Sequence, residues 1–399
     1  MRALTVGNMY PPHHLGGYEL VWQSAVEHLR ARGHESTDLT TDHRRTGEAG
    51  ADPPWVHRDL LWWWHDHAWP RYGWRERLRR ERHNAAVLGA RLEEDRPEVV
   101  VWLAMGGMSL SLIERVRRLA VPAVGVVHDD WLVYGPRVDA WLRMWRGPQA
   151  RLGERLTGVP TRVDFSGAAD WLFVSDFVRR KALAEGGLPL ARTGVVHSGI
   201  DEAHIAPLGP VQPWAWNILS VGRIDRRKGI DTAIRALGEL PPAARLTIAG
   251  DGDGGALEEL RALTGELGLS DRVSFVGFQG PEALRGLYAG ADAVVFPVTW
   301  DEPWGLVPIE AMAHGVPVVA TGRGGSAEYL RDGENALLHA PGEPAALATV
   351  LRRLADDPDL RERLRRGGAA TAPQHTARAF NERLEAVLLA AIANMVAPA

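Results

Sequence analysis

The sequence predicts an α/β protein made of two doubly wound parallel-sheet domains, and three observations carry that expectation. Short β-branched and apolar runs alternate with helix-length amphipathic stretches along almost the whole chain, the pattern of strand–helix–strand units. The chain has 399 residues, too many for one hydrophobic core and suited to two of roughly 200 residues each. A run rich in proline and glycine, Ala206 to Pro213, interrupts the alternation, and a second series begins after it.

In the first half, Arg2 to Gly7 reads as a strand, followed by an amphipathic helix from Tyr18 to Arg32 that Gly33 and His34 close. Val99 to Leu103 and Ala123 to Val127 are apolar strands separated by a helix from Ser109 to Leu119. Trp171 to Val174 and Val195 to His197 complete that half. In the second half, the strands are Ile218–Val221, Arg245–Ala249, Val273–Val276, Ala293–Phe296, Pro317–Ala320 and a short one near Ala336–His339. Helices fall at Asp231–Leu240, Ala256–Leu267, Pro281–Ala289 and Ile309–His314, and helical patterns then continue to the last residues. No fixed-period repeat is present.

Composition is that of a soluble globular protein, 45% hydrophobic and 24% charged with a formal net charge of -4. Such a balance lacks the basic field of a nucleic-acid binder. Without cysteine there is no disulfide framework, no thiolate nucleophile and no cysteine-ligated metal. The first residues are too short an apolar run for a signal peptide, and no stretch reaches the roughly 18 apolar residues of a membrane span. A cytoplasmic location is the expectation, with peripheral attachment to the inner face of a membrane compatible with it. Arginine replaces lysine nearly everywhere, which singles out Lys228.

The most informative segment is Asp301 to Glu310, which follows the apolar strand ending at Phe296 and runs into a helix. It places Glu302 and Glu310 at the two ends of a loop broken by Pro303 and Gly305. Ligands of open α/β sheets bind outside the carboxyl ends of strands. A turn of amides at a helix start suits a phosphate or polyol, and carboxylates accept hydroxyl hydrogen bonds. A sugar or nucleotide sugar fits that set. Gly222-Arg-Ile-Asp-Arg-Arg-Lys-Gly229 likewise joins a strand to a helix, and Arg223 and Lys228 flank its tight loop as a fork and a point charge able to close on a diphosphate. Arg226 and Arg227 read as a solvated basic loop. At the first joint, Gly16 and Gly17 let backbone approach a ligand at a helix start. His128 follows directly on an apolar strand, where side chains reach a crevice. Asp129 and Asp130 have no third ligand beside them and make a weak metal site. Gly250 to Gly255 fits the dinucleotide fingerprint, yet Asp251 and Asp253 would set negative charge against a pyrophosphate.

These stretches resemble the retaining glycosyltransferases of family GT4, whose GT-B fold sets two Rossmann-like domains facing each other across a cleft. The family's E-x7-E signature runs into a helix reading E-A-M-A-x-G-x-P-V-V-A, and here Glu310 to Ala320 reads Glu-Ala-Met-Ala-His-Gly-Val-Pro-Val-Val-Ala. Its G-R-x-x-x-x-K-G joint is matched by Gly222 to Gly229, its G-G-x-x-E turn by Gly324 to Glu328, and its histidine-acid pair by His128-Asp129. The resemblance implies an acceptor-binding domain over residues 1–205, a donor-binding domain over 206–376, and a last segment, 377–399, crossing back to the first domain. It implies that Arg223 and Lys228, with Gly222, hold the donor pyrophosphate and assist its departure. Glu302 would contact the transferred sugar and Glu310 the ribose hydroxyls, with Pro303 and the amides of Trp304, Gly305, Leu306 and Val307 between them. Gly250 and Phe278 would lie near the base, His128 would face the donor sugar as general base or sugar contact, and Gly16 and Gly17 would border phosphates or acceptor. Neither cofactor nor metal is implied. The donor is a nucleoside diphosphate sugar, UDP- or GDP-linked first of all, and the acceptor a glycan, a lipid-linked sugar or a small molecule. A nucleotide-sugar epimerase or phosphorylase, or a non-catalytic nucleotide-sugar binder, would share much of this pattern.

Two departures stand out. Trp304 occupies a position where the family usually has phenylalanine, and the larger ring is expected to affect which sugar fits. The tryptophan-rich stretch Trp55 to Trp74 and the basic run from Arg75 to Arg82 match no motif; an acceptor platform, a membrane-surface patch and a packed helical insertion are all open readings. A second aromatic group, Trp131 to Trp145, is expected to line the acceptor side.

Overall fold

The computed structural model of the chain describes residues 1–14, 16–45, 51–64, 69–145, 147–205, 207–210, 212–252 and 254–396. Asp253 of the Gly250–Gly255 loop, Ala206 and Val211 of the interdomain run, residues 65–68 of the tryptophan-rich stretch and residues 397–399 lie outside them. The chain forms two compact units, one of Met1–His197 together with the segment from Phe380 onward, the other of Ser198–Ala379. The division falls at Ser198, ahead of the proline- and glycine-rich run. It does so because the Ile200 amide bonds the His375 carbonyl at 3.0 Å and the Ala377 amide bonds Ile200 at 2.7 Å.

The first unit alternates β1 (Arg2–Val6), α1 (Gly17–Ala31), β2 (Glu35–Thr41), β3 (Val56–Leu60), α2 (Trp74–Asp95), β4 (Val99–Trp102), α3 (Ser111–Arg118) and β5 (Ala123–Val127). It continues through α4 (Trp131–Val138), α5 (Gln149–Thr157), β6 (Asp170–Phe173), α6 (Asp176–Glu185) and β7 (Thr193–Val195). The second unit holds β8 (Asn217–Val221), α7 (Ile230–Gly238), β9 (Arg245–Ala249), α8 (Gly254–Glu266), β10 (Val273–Gly277), α9 (Pro281–Ala289), β11 (Ala293–Phe296), α10 (Leu306–Ala313), β12 (Val318–Ala320) and β13 (Leu337–Leu338). Then follow α11 (Pro344–Asp356), α12 (Pro358–Thr371) and α13 (Ala377–Val396).

Among the described residues the first sheet has the order β3-β2-β1-β4-β5-β6-β7 and the second β10-β9-β8-β11-β12-β13, and the pairs are parallel. Each is doubly wound, as the GT-B resemblance expects of both its domains. Strands covered by helices on both faces read as continuous apolar runs. Accordingly β4 (Val-Val-Val-Trp), β5 and β11 are buried along their whole length. β2 and β3 were not legible that way because they carry polar residues: Asp38 is buried, with Thr5 and Ser36 hydroxyls donating to its carboxylate at 2.7 and 2.9 Å. Burial still pushes that carboxyl up to about 6.

In the first unit, α13 lays Phe380, Leu384, Leu388 and Ala391 against Trp22, Leu29, Val99, Val124 and Val126. Those four recur at helical spacing and so form one stripe. Each of the three large side chains contributes about 1.5–3 kcal/mol by leaving water. Polar residues fix the register, since the Glu385 carboxylate takes His28 Nε2 at 2.9 Å and His34 Nε2 at 2.8 Å. No helix of the described residues is long and apolar enough to cross a membrane.

Candidate functional site

Strand order decides where the second unit gathers its chemistry. The chain leaves β8 on one side toward β9 and β10 and returns on the other as β11, so the loops after β8 and β11 leave adjacent strands at the reversal point. The turns after β9 and β12 flank them.

In the loop after β8, Asp225 receives the Arg227 amide at 2.9 Å and caps a single 3-10 turn, Arg226–Lys228. The next residue, Gly229, has a left-handed φ of 66° and starts α7 beside the Pro297 carbonyl oxygen, where a Cβ would overlap it. This tight joint presents Lys228 to the loop after β11. Its ammonium lies 2.7 Å from Glu302 Oε2, and Trp300 Nε1 donates to the same oxygen at 2.9 Å. Among the described residues the other Glu302 oxygen accepts no hydrogen bond. The Arg227 guanidinium covers the Trp300 ring at 4.3 Å. Arg223 stands half-exposed with its guanidinium 3.2 Å from Asp225. The two arginine neighbours hold the Asp225 carboxyl well below the usual range, so it is charged throughout ordinary pH.

Backbone shapes the remaining walls. Gly250 has φ 146°, a region essentially closed to other residues, and a Cβ there would overlap the Gly222 carbonyl oxygen. The turn after β12 passes just as closely: the Gly325 amide bonds the Glu302 carbonyl at 2.7 Å, and a Cβ at Gly324 would strike that oxygen. Gly305, at φ 86°, precedes α10, which leaves the Leu306 and Val307 amides in its first turn. The Tyr329 hydroxyl donates to the Gly305 carbonyl at 2.5 Å. Asp251 accepts the Phe278 amide at 3.0 Å, fixing a turn whose Phe278 ring is 69% exposed. That bond employs Asp251 in loop geometry.

Glu310 lies one turn further along α10, and the Tyr288 hydroxyl donates to it at 2.7 Å. Burial raises its pKa, while the Tyr288 bond and the nearby His204 and His314 work the other way. Tyr288 stacks on His314 at 4.8 Å. Neither Tyr288 nor Trp300 was found from sequence. Trp300 sits beside the acidic segment and could have been read with it, but Tyr288 lies 22 residues from Glu310 in sequence and no local pattern marks it.

In the first unit the Gly16-Gly17 joint and His128 come together through Tyr18, whose ring stacks on His128 at 4.5 Å and whose hydroxyl bonds the Val126 carbonyl. Phe380 meets the imidazole edge-on at 5.5 Å. Desolvation pushes the His128 pKa down to about 3, so the ring is neutral at ordinary pH. The Gly16 amide bonds the Glu19 carboxylate at 3.1 Å. Asp130 pairs with Lys181 at 2.6 Å, while Asp129 receives the Trp131 amide at 3.1 Å and the Tyr134 hydroxyl at 3.2 Å. Both carboxylates thus have structural employment.

One aromatic expectation is corrected and two others take a definite form. Trp131 and Trp141 do not line a site; both are fully buried, Trp131 against Trp171 at 5.8 Å and Trp141 with its N–H on the Pro160 carbonyl at 2.8 Å. The Trp304 ring is buried too, packed on Tyr329 and His375, with its N–H 2.9 Å from the Ser198 carbonyl. Its ring is thus a packing element of the second unit. In the tryptophan-rich stretch, Trp62 and Trp63 are buried and donate to Gly106 and Ser109 at 3.0 Å, whereas Trp69 and Trp74 are exposed.

The second unit thus carries a glycine-walled crevice with a lysine–glutamate pair at its sheet reversal point. Residues 214–371 match the family described as Glycosyl transferases group 1, and residues 15–204 match Glycosyltransferase Family 4. Both matched families are glycosyltransferases, one falling in each half of the chain. It is similar to the D-inositol 3-phosphate glycosyltransferase of Mycobacterium bovis, 36% identical over 258 residues, 60% of this chain and 51% of that protein. An uncharacterized glycosyltransferase of Methanocaldococcus jannaschii is 39% identical over 147 residues, 36% of this chain and 37% of the relative. The matched stretches thus span about half or less of these relatives' lengths. Among solved structures, Anabaena HepE in complex with UDP and glucose has a TM-score of 0.70 at 22% identity, covering 97% of this chain and 99% of that one. Sucrose-phosphate synthase from Thermosynechococcus elongatus has a TM-score of 0.75 at 19% identity, covering 99% and 100%. These likenesses carry the fold.

Proposed function

We propose that the protein moves a hexosyl group from a nucleoside diphosphate sugar, UDP- or GDP-linked, to an acceptor hydroxyl with retained anomeric configuration. The observation that carries this reading is the 2.7 Å contact of Lys228 with Glu302 at the reversal point of the second sheet. It sets a cation for a diphosphate against a carboxylate whose second oxygen can take a sugar hydroxyl. Arg223 and Lys228 bind the pyrophosphate and stabilise the charge that grows on it as the anomeric C–O bond breaks. The leaving oxygen departs with the bonding electrons, the acceptor oxygen forms the new C–O bond on the same face, and its proton passes to the leaving phosphate. The first-turn amides of α10 hold sugar hydroxyls and phosphate, Glu310 takes the ribose hydroxyls, and the exposed Phe278 ring supplies a face for the base.

For His128, a pKa near 3 makes a feeble proton acceptor at neutral pH. It acts instead as a neutral hydrogen-bonding contact to sugar. Charge stabilisation is assigned to the arginine–lysine pair, and the reaction needs no resident metal ion. Support comes from the relatives' names as glycosyltransferases and from HepE holding UDP and glucose.

The test is a thermal-shift panel of UDP-, GDP-, dTDP- and ADP-sugars, followed by NMR of the product formed with a candidate acceptor. One nucleotide sugar should raise Tm, Glu310→Ala should abolish that rise, and the product should keep the donor's anomeric configuration. A panel with no shift, or an inverted product, overturns the proposal. Turnover of the nucleotide sugar without acceptor would favour an epimerase.

A further inference from the structure

The first unit contains a cavity of about 560 Å³ that none of the motifs above accounts for. It opens between the segment before α2 and the residues after α4. Its walls include Arg71, Arg77 and Arg143, the ring of Trp69, and the apolar Val138 and Met144; among the described residues none of those lining it is acidic. In a chain whose net charge is -4, three guanidinium groups gather at this wall, while Asp139, between Val138 and Ala140, spends its carboxylate on the amides of Leu110, Trp141 and Leu142. Among the described residues the three arginines make no ion pair. Arg77 donates to two carbonyls, Tyr72 at 2.8 Å and Ala140 at 2.9 Å, which fix its position and leave its charge intact. Arg71 and Arg143 are exposed and make no ion pair among the described residues. Trp69 is 45% exposed and leans on Gly107, where a Cβ would come within 3.0 Å of its ring.

A planar fork held by carbonyls, two exposed forks, and an indole face beside an apolar wall together fit a phosphate ester on a ring or chain. The volume falls within the roughly 300–1,000 Å³ of small-molecule sites. We infer that this cavity binds a phosphate ester, and that it anchors a phosphate-bearing part of the acceptor. The first clause stands without the transferase reading; the second rests on it. Its place supports the second: α4 begins just past His128 and ends at the cavity, so the two lie about 12 Å apart along the helix at 1.5 Å per residue. An acceptor reaching His128 could extend its phosphate to the arginines.

Binding is measured by titrating the full chain, watching tryptophan fluorescence, with glucose 6-phosphate, with glucose, and with phosphatidylcholine vesicles with or without phosphatidylglycerol. Glucose 6-phosphate should bind and glucose should not, and Arg71→Ser and Arg143→Ser should each weaken binding by about tenfold, as expected for a lost charge-assisted bond. Binding confined to the anionic vesicles, and lost in the same variants, assigns the phosphate to a lipid headgroup. If neither probe binds, or the double variant binds as well as the parent, the inference fails. The nucleotide-sugar thermal shift, read on the same double variant, should be unchanged, so a lost shift marks a misfolded sample and not a phosphate site. Trp69→Ala, which leaves the arginines in place, gives a second check: it should weaken the sugar phosphate more than inorganic phosphate.

Discussion

The two units share one architecture but use their glycines against different neighbours. In the first, glycine makes room for rings: a Cβ at Gly125 would collide with the Trp171 indole, and one at Gly153 with Trp145. In the second, glycine makes room for backbone: Gly250 faces the Gly222 carbonyl, Gly229 the Pro297 carbonyl and Gly324 the Glu302 carbonyl. Twelve of the 16 tryptophans precede Ser198, and the buried ones mostly place their N–H on a fixed partner, such as Trp22 on Thr5 and Trp171 on Phe165. The first unit is therefore a packing problem solved with large side chains. The second is a loop problem solved by close backbone approach, and close backbone approach is what a crevice for phosphates and hydroxyls demands.

Side-chain packing should dominate the stability of the first unit. Leu388→Ala, at a fully buried position of α13, should cost about 2–5 kcal/mol in chemical denaturation while leaving the nucleotide-sugar thermal shift in place. Equal loss of the shift would erase the distinction between the units. The glycines give a sharper contrast. Gly125→Ala should cost about 1–3 kcal/mol from overpacking, and Trp171→Phe in the same chain should recover part of it. Gly250→Ala should cost about 1–3 kcal/mol of backbone strain and abolish nucleotide binding, and shrinking a neighbouring side chain should not rescue it because the obstacle is the Gly222 carbonyl. Rescue of the second variant, or none of the first, would break the comparison.

Smaller effects follow for the polar contacts. Tyr288→Phe removes the hydrogen bond that favours the charged Glu310, so nucleotide affinity should fall about fivefold and fall further toward acid pH, measured by calorimetric titration. In the first unit His34 and His28 hold the Glu385 carboxyl down at about 2 against an ordinary 4.5. A depressed carboxylate stabilises above its unfolded pKa and loses that contribution as pH falls through its folded one. Stability should decline between about pH 4.5 and pH 2, and Glu385→Gln should flatten that decline with a change below 1 kcal/mol at neutral pH. A variant with the parent's acid profile would remove the histidine clasp from the account.

The contrast also explains what could be read from sequence. β5, β9, α9 and β11 stand where the apolar runs and flanking glycines place them, and Arg223, Lys228, Glu302 and Glu310 were visible because a loop site is contiguous in sequence. β2 and α2 were missed because their burial depends on partners far along the chain: Asp38 on Thr5, and buried Glu81 on Ser111. The aromatic residues near His128 misled for the same reason, since a tryptophan in a core and one in a crevice look alike until their neighbours are known. Tyr288, on α9, meets Glu310, on α10, directly across two helices that β11 separates in sequence.

The last feature concerns α13. Phe380, Leu384 and Leu388 complete the core of the first unit, yet they are encoded after all of the second. On the ribosome, Trp22, Val99 and Val124 emerge early with one face uncovered, and an entire further unit is made before the stripe that covers them appears. The first half to be synthesised is thus the last to be finished. Folding from the amino end cannot run to completion in that order, and the nascent chain carries an exposed apolar groove for most of its synthesis.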